Sequence, residues 1–175
     1  MTDAVRKDSY RSQPSRPTVW AWLLVLCTVV LWQGCSSDTV FKDNVDFEDA
    51  KWFEKNTASF SFEIDDPSAS YNIFYNVRNT LEYPYSNLYV TRFLMNSQGK
   101  VINTQLDELQ LADAKTGKPL GSGIGDIFDH KILALKAYKF SSKGKYTFKI
   151  QQYMRQNPLT EVLSMGVSVE KVNGK

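Results

Sequence analysis

SFSFEI, residues 59–64, sets the period of the chain: Phe60, Phe62 and Ile64 alternate with Ser59, Ser61 and Glu63. Successive side chains of a strand point to opposite faces, so this spacing gathers the apolar groups on one side and the polar groups on the other. That is a half-buried strand. Tyr71, Ile73, Tyr75 and Val77 repeat it against Asn72, Asn76 and Arg78, and Tyr146, Phe148 and Ile150 repeat it against Lys149 and Gln151. Leu163, Met165, Val167 and Val169 do so against Ser164, Ser168 and Glu170. Asn87 to Met95 and Val101 to Leu106 are further strand candidates. Leu106 to Lys115 is ambiguous, since Leu106, Leu109 and Ala112 also suit a short helix, and Ile127 to Phe140 is similarly unclear.

Turn-forming clusters divide these runs at Asp65-Asp66-Pro67-Ser68, Asn96-Ser97-Gln98-Gly99, Lys115-Thr116-Gly117-Lys118-Pro119, Ser141-Ser142-Lys143-Gly144 and Gln156-Asn157-Pro158. Short strands at such intervals, with no long amphipathic helix, predict an all-β fold: a single antiparallel β-sandwich, jelly-roll-like.

The amino-terminal region follows a different logic. Val19 to Trp32 is an almost wholly apolar run of fourteen residues. As a helix it would reach about 21 Å, short of the hydrocarbon core of about 30 Å. Arg6, Lys7, Arg11 and Arg16 precede it against Asp3 and Asp8, and small Gly34 stands at its exit. A basic flank, a short apolar centre and a small exit residue are the anatomy of a secretion signal.

Gly34 directly before Cys35 resembles the lipobox of bacterial lipoproteins, in which the cysteine thiol is acylated and the signal is cut ahead of it. Trp32 departs from that pattern: leucine is usual there, and here Leu31 lies one place further out. An uncleaved membrane anchor with an incidental Cys35 is the competing reading. The lipobox reading gives residues 1–34 as signal peptide, 35–46 as a lipidated tether and 47–175 as the β-sandwich domain. Cys35 would hold membrane lipid, each buried methylene contributing about 0.8 kcal/mol. Ser36 is not the aspartate that commonly retains lipoproteins in the inner membrane, so the expected place is the outer membrane, with the domain facing the periplasm.

Four of the chain's 21 Lys and Arg and two of its 19 Asp and Glu lie in residues 1–34, so the remainder balances at 17 of each. That neutrality argues against nucleic acid as a partner. Cys27 lies in the leader and Cys35 carries lipid, which leaves no pair for a disulfide. The remaining 141 of 175 residues suffice for one domain.

Candidate chemistry is sparse. His130 is the single histidine, with Asp126 and Asp129 nearby, but no nucleophile or zinc signature accompanies it. It reads as a turn or surface residue. GSGIGDIFD, residues 121–129, lacks the spacing of a phosphate loop, and its glycines suit tight turns or bulges. Asp126 and Asp129 lack the full ligand pattern of a calcium site. The expectation is no catalytic residue, no metal, no cofactor and no enzymatic activity.

RNTLEYPYSNLY, residues 78–89, is more suggestive. Tyr83, Tyr85 and Tyr89 stand with Arg78, Asn79, Glu82 and Asn87, a mixture that could stack on a sugar or grip a protein partner. The plainer alternative is a tight Tyr83-Pro84 loop, with a cis bond, whose rings cap the sandwich while Arg78 pairs with a carboxylate. Tyr153, Met154 and Arg155 invite the same pair of readings.

Trp52 after an acidic-aromatic entry, RNTLEYPYSNLYV at 78–90, LADAKTGKPLGSGIGDIFD at 111–129, GKYTFKIQQYMRQNPL at 144–159 and MGVSVEK at 165–171 together resemble the gliding motility-associated lipoprotein GldH family of the Bacteroidetes. The resemblance spans nearly the whole mature chain. It implies a component or assembly factor of the gliding apparatus and the linked type IX secretion system, whose envelope proteins would be its partners, and it implies no reaction. The family's lipobox cysteine corresponds to Cys35. A glycan-binding lipoprotein is the alternative, and it requires Tyr83, Tyr85 or Tyr89 to form a flat exposed platform.

If Cys35 is the acylated residue, mass spectrometry of the mature amino terminus will find a diacylglyceryl-cysteine at position 35. Cys35→Ser will leave the precursor uncut and release no lipidated form.

Overall fold

The computed structural model describes residues 38–172; residues 1–34, read as a signal peptide, and Cys35 lie outside them. Eleven strands occur among the described residues: β1 (Thr39–Asp46), β2 (Lys51–Trp52), β3 (Ala58–Ile64), β4 (Tyr71–Thr80), β5 (Asn87–Met95), β6 (Val101–Gln110), β7 (Ser122–Ile124), β8 (Ile127–Tyr138), β9 (Gly144–Gln152), β10 (Leu159–Thr160) and β11 (Val162–Lys171). They form a five-stranded sheet in the order β1-β11-β4-β8-β7, a four-stranded sheet in the order β3-β9-β5-β6, and a small β2-β10 ladder. Every pairing is antiparallel. The chain is an all-β sandwich.

The alternation read in the sequence builds its core. Ile73, Tyr75 and Val77 of β4 lie in register with Val169, Val167 and Met165 of β11, and all six are buried. From the other sheet Phe60, Phe62, Phe148 and Ile150 face them. Tyr75 meets Phe148 edge-on with ring centroids 6.0 Å apart. Each such side chain contributes about 1.5–3 kcal/mol through burial. Trp52 closes one end, fully buried, stacked on Phe47 at 4.8 Å, its indole N–H donating to the Asn56 carbonyl at 2.7 Å.

The structure corrects the tether and the cis Tyr83–Pro84 bond, and it resolves two ambiguous stretches as strands. Residues 39–46, read as part of a tether, are strand β1, in register with β11 from Thr39 opposite Glu170 to Asp46 opposite Ser164. Only Phe41 of β1 is partly buried, so backbone pairing rather than side-chain burial holds this edge, and its composition reads as polar. Leu106 to Gln110, which also suited a helix, completes β6.

Ile127 to Tyr138 is one long strand whose register against β4 shifts twice, between Tyr71 and Ile73 and again between Ile73 and Phe74. Extra residues at such bulges break the period of two. The cis peptide bond among the described residues is Asn157–Pro158, so the Tyr83–Pro84 bond is trans.

Candidate functional site

β6 turns three polar side chains, beside buried Leu109, to the face that carries Arg92. Arg92 of β5 sits between buried Val90 and Leu94 with only 3% of its surface exposed. Its Nε donates to Asp107 Oδ2 at 2.6 Å, one Nη to Asn103 Oδ1 at 2.6 Å and the other to Gln105 Oε1 at 2.8 Å. From the opposite sheet the Tyr75 hydroxyl donates to the same Asp107 oxygen at 2.6 Å. Burial, and then the neighbouring Asp107, push the Tyr75 hydroxyl far above the usual tyrosine range. Asn103, Gln105 and Asp107 therefore share the Arg92 face with buried Leu109, Gln105 staying exposed, and the alternate residues Thr104, Leu106 and Glu108 face outward.

Outward Leu106 is 49% exposed, and the pairing sets it opposite Thr91 beside Tyr89 of β5. Beyond the end of β9, Tyr153 joins the same face, its backbone N–H bonded to the Tyr89 carbonyl at 2.8 Å. Tyr85, Tyr89, Leu106, Tyr153, Met154 and Arg155 enclose a groove of about 500 Å³. Tyr153 is 65% exposed and Tyr85 38%. An outward sheet face is normally polar. This one presents rings, an aliphatic side chain and a thioether, with one cation at its rim.

The two stretches singled out in the sequence, 78–89 and 153–155, thus meet at one place, though not in full. Tyr83 is buried at 9% exposure, with its hydroxyl donating to the Asn87 carbonyl at 3.0 Å and its ring edge-on to Tyr85. Tyr85 donates to Gln156 Oε1 at 3.0 Å. The three tyrosines do not form one flat platform. Arg78 lies elsewhere, on the outer face of the five-stranded sheet, in a two-point pair with Asp129 at 2.8 and 3.2 Å. The Arg78 guanidinium holds the Asp129 carboxyl below the usual range. The sequence marks Leu106 only as a strand or helix residue; the alternating polar residues Asn103, Gln105 and Asp107 are the signal that Leu106 lies on the opposite, outward face.

His130 is a buried strand residue rather than a turn or surface one. It pairs with Val77 and faces inward, so that Asp129, one residue before, faces outward to Arg78. His130 Nε2 has no partner among the described residues. The strand alternation thus separates the histidine from the carboxylate a triad would need. The 121–129 glycines serve a hairpin: Gly125 turns with φ +64, and a side chain at Gly121 would lie 2.5 Å from the Asp129 carbonyl and 2.8 Å from the His130 ring.

The family profile described as GldH lipoprotein matches residues 39–169. The chain belongs to the GldH lipoprotein family. The match begins at the first residue of β1 and ends within β11. The protein called gliding motility lipoprotein GldH homolog of Christiangramia forsetii is 30% identical over 156 residues, covering 85% of this chain and 93% of that one. Gliding motility lipoprotein GldH of Flavobacterium johnsoniae is 29% identical, covering 77% and 81%. Among solved structures, the VP2 subviral particle of infectious bursal disease virus overlaps 77% of this chain and 31% of its own at 15% identity, with a TM-score of 0.35. That likeness carries no weight here.

Burial holds the His130 pKa below its ordinary value, with Asp129 opposing weakly. The unfolded chain therefore binds the proton more readily, and the stability gained by keeping the ring neutral is complete above about pH 6.5 and lost as pH falls below it. Denaturant unfolding between about pH 6.5 and 5 will show stability falling by up to about 1.4 kcal/mol per pH unit. That slope will be absent in His130→Gln; an equal slope in the variant assigns it to another group.

Proposed function

We propose that this chain is a lipid-anchored, non-enzymatic component or assembly factor of the gliding motility machinery and the linked type IX secretion system. Acylated Cys35, with palmitate among its chains, holds it in the outer membrane, and the domain faces the periplasm. The names of the two relatives support the gliding role. The observation that carries the binding role is the outward groove around Leu106.

A neutral sandwich whose apolar and aromatic groups sit on an open strand pair offers affinity rather than turnover. Aromatic side chains in such grooves carry much of the energy of protein interfaces. The partner is another envelope protein of the apparatus, gripped by Tyr85, Tyr89, Leu106 and Tyr153, with Arg155 at the rim.

The test is gene deletion scored for colony spreading and protein secretion, followed by complementation. The parent gene will restore both, whereas Leu106→Asp combined with Tyr153→Ala, made to the same level and equally stable, will not. Normal spreading and secretion after deletion would refute the role. Full complementation by the groove variant would refute the groove's part in it.

A further inference from the structure

From Lys131 to Thr160 the chain contains no acidic residue, while Lys131, Lys136, Lys139, Lys143, Lys145 and Lys149 fall within it. Folding brings most of these charges to one end. Tyr138, Tyr71, Lys171, Glu170 and Thr39 lie in one row across the five-stranded sheet, so the β8–β9 connection stands at the end from which β1 starts. The β5–β6 turn, with exposed Lys100, is at this end too, because Met95 pairs with both Val101 and Thr147.

The acids here are largely engaged. Asp65 pairs with Lys143 at 3.0 Å, Asp66 with Lys171 at 2.8 Å and Glu170 with Lys131, while Glu63 stands opposite Lys145. Lys100, Lys136 and Lys139 are exposed, with no ion pair to any described residue. Exposed Val40, Val101 and Ile102 lie at the same end.

Chain length decides what this end meets. Only Ser36 and Ser37 separate Cys35 from Asp38, where the described fold begins. Three residue steps reach at most about 11 Å. Lys136 and Lys139 stand at the end of β8, three strands from β1 at about 4.8 Å per strand, and Lys100 stands at the same end of the facing sheet. We propose that this lysine-bearing end is a binding face for the anionic phospholipid headgroups of the membrane, seated through Lys100, Lys136 and Lys139. The inference rests on the lipid-anchor reading for its biological setting. Its consequence is orientation: the Tyr85–Leu106–Tyr153 groove lies toward the opposite ends of β5, β6 and β9, and so is held away from the bilayer. Basic groups near an acidic bilayer surface attract it within a Debye length, and apolar side chains among them add to binding at the interface.

Residues 36–175, which contain the whole described fold and no Cys35, allow a direct test by co-sedimentation at low ionic strength. Vesicles of phosphatidylethanolamine with phosphatidylglycerol will bind the domain, and vesicles of phosphatidylethanolamine alone will not. Lys136→Glu with Lys139→Glu will lower binding at least about tenfold, and Lys51→Glu with Lys55→Glu, at the far end, will leave it unchanged. Equal binding to both kinds of vesicle, no binding to either, or a Lys136/Lys139 variant that sediments like the parent would overturn the proposal. Failure of the anchor reading shows separately, as full-length Cys35→Ser that is still cut after Gly34 and still remains in the membrane fraction.

Discussion

A guanidinium placed between two sheets must find acceptors there, because removing a charge from water costs several kcal/mol unless its hydrogen bonds are replaced. Arg92 finds them on one strand, in Asn103, Gln105 and Asp107, spaced two residues apart along β6. Since side chains alternate along a strand, meeting Arg92 fixes which face of β6 looks inward. The same choice sends Leu106 outward beside Tyr89. The core charge and the surface groove are two results of one register. Tyr75 extends the network to the other sheet through its bond to Asp107, so the layers are joined by a polar contact as well as by apolar packing.

The placement of β1 gives the domain its polarity. An edge strand held by its backbone against β11 starts close in sequence to Cys35 and runs toward the other end of the sandwich. Lysines and a few aliphatic side chains mark the end where β1 begins. At the other, Phe53, Leu81, Tyr85, Leu120, Ile124 and Tyr153 are exposed. The two ends of the sandwich are therefore chemically unlike, one marked by lysines and the other by exposed aromatic and aliphatic side chains.

Most of the fold was legible because β3, β4, β9 and β11, and β5 apart from Arg92, obey the rule that apolar residues face the core. The elements that escaped break that rule for identifiable reasons. β1 buries little, so its polar composition resembled a tether. β8 carries bulges that mix periods of two and three. β6 carries Asn103, Gln105 and Asp107 on the same face as buried Leu109, so Leu106 and Leu109, which also suited one helical face, point to opposite sides of a sheet. At the candidate site, local composition found Tyr85, Tyr89 and Tyr153. It could not find Leu106, whose exposure depends on a buried charge in the neighbouring strand, nor part Arg78 and Tyr83 from the groove, since one pairs with Asp129 and the other fills the core.

The central claim is that Arg92 fixes the orientation of β6 and thereby creates the groove. Backbone hydrogen exchange of Arg92→Leu tests it most directly. Protection of the Val101–Gln110 amides will fall well below that of the parent while β3 and β9 remain protected, because the inward polar triplet will have lost its partner. If β6 keeps its full protection without the guanidinium, the strand is oriented by something else, and the account of the groove is wrong.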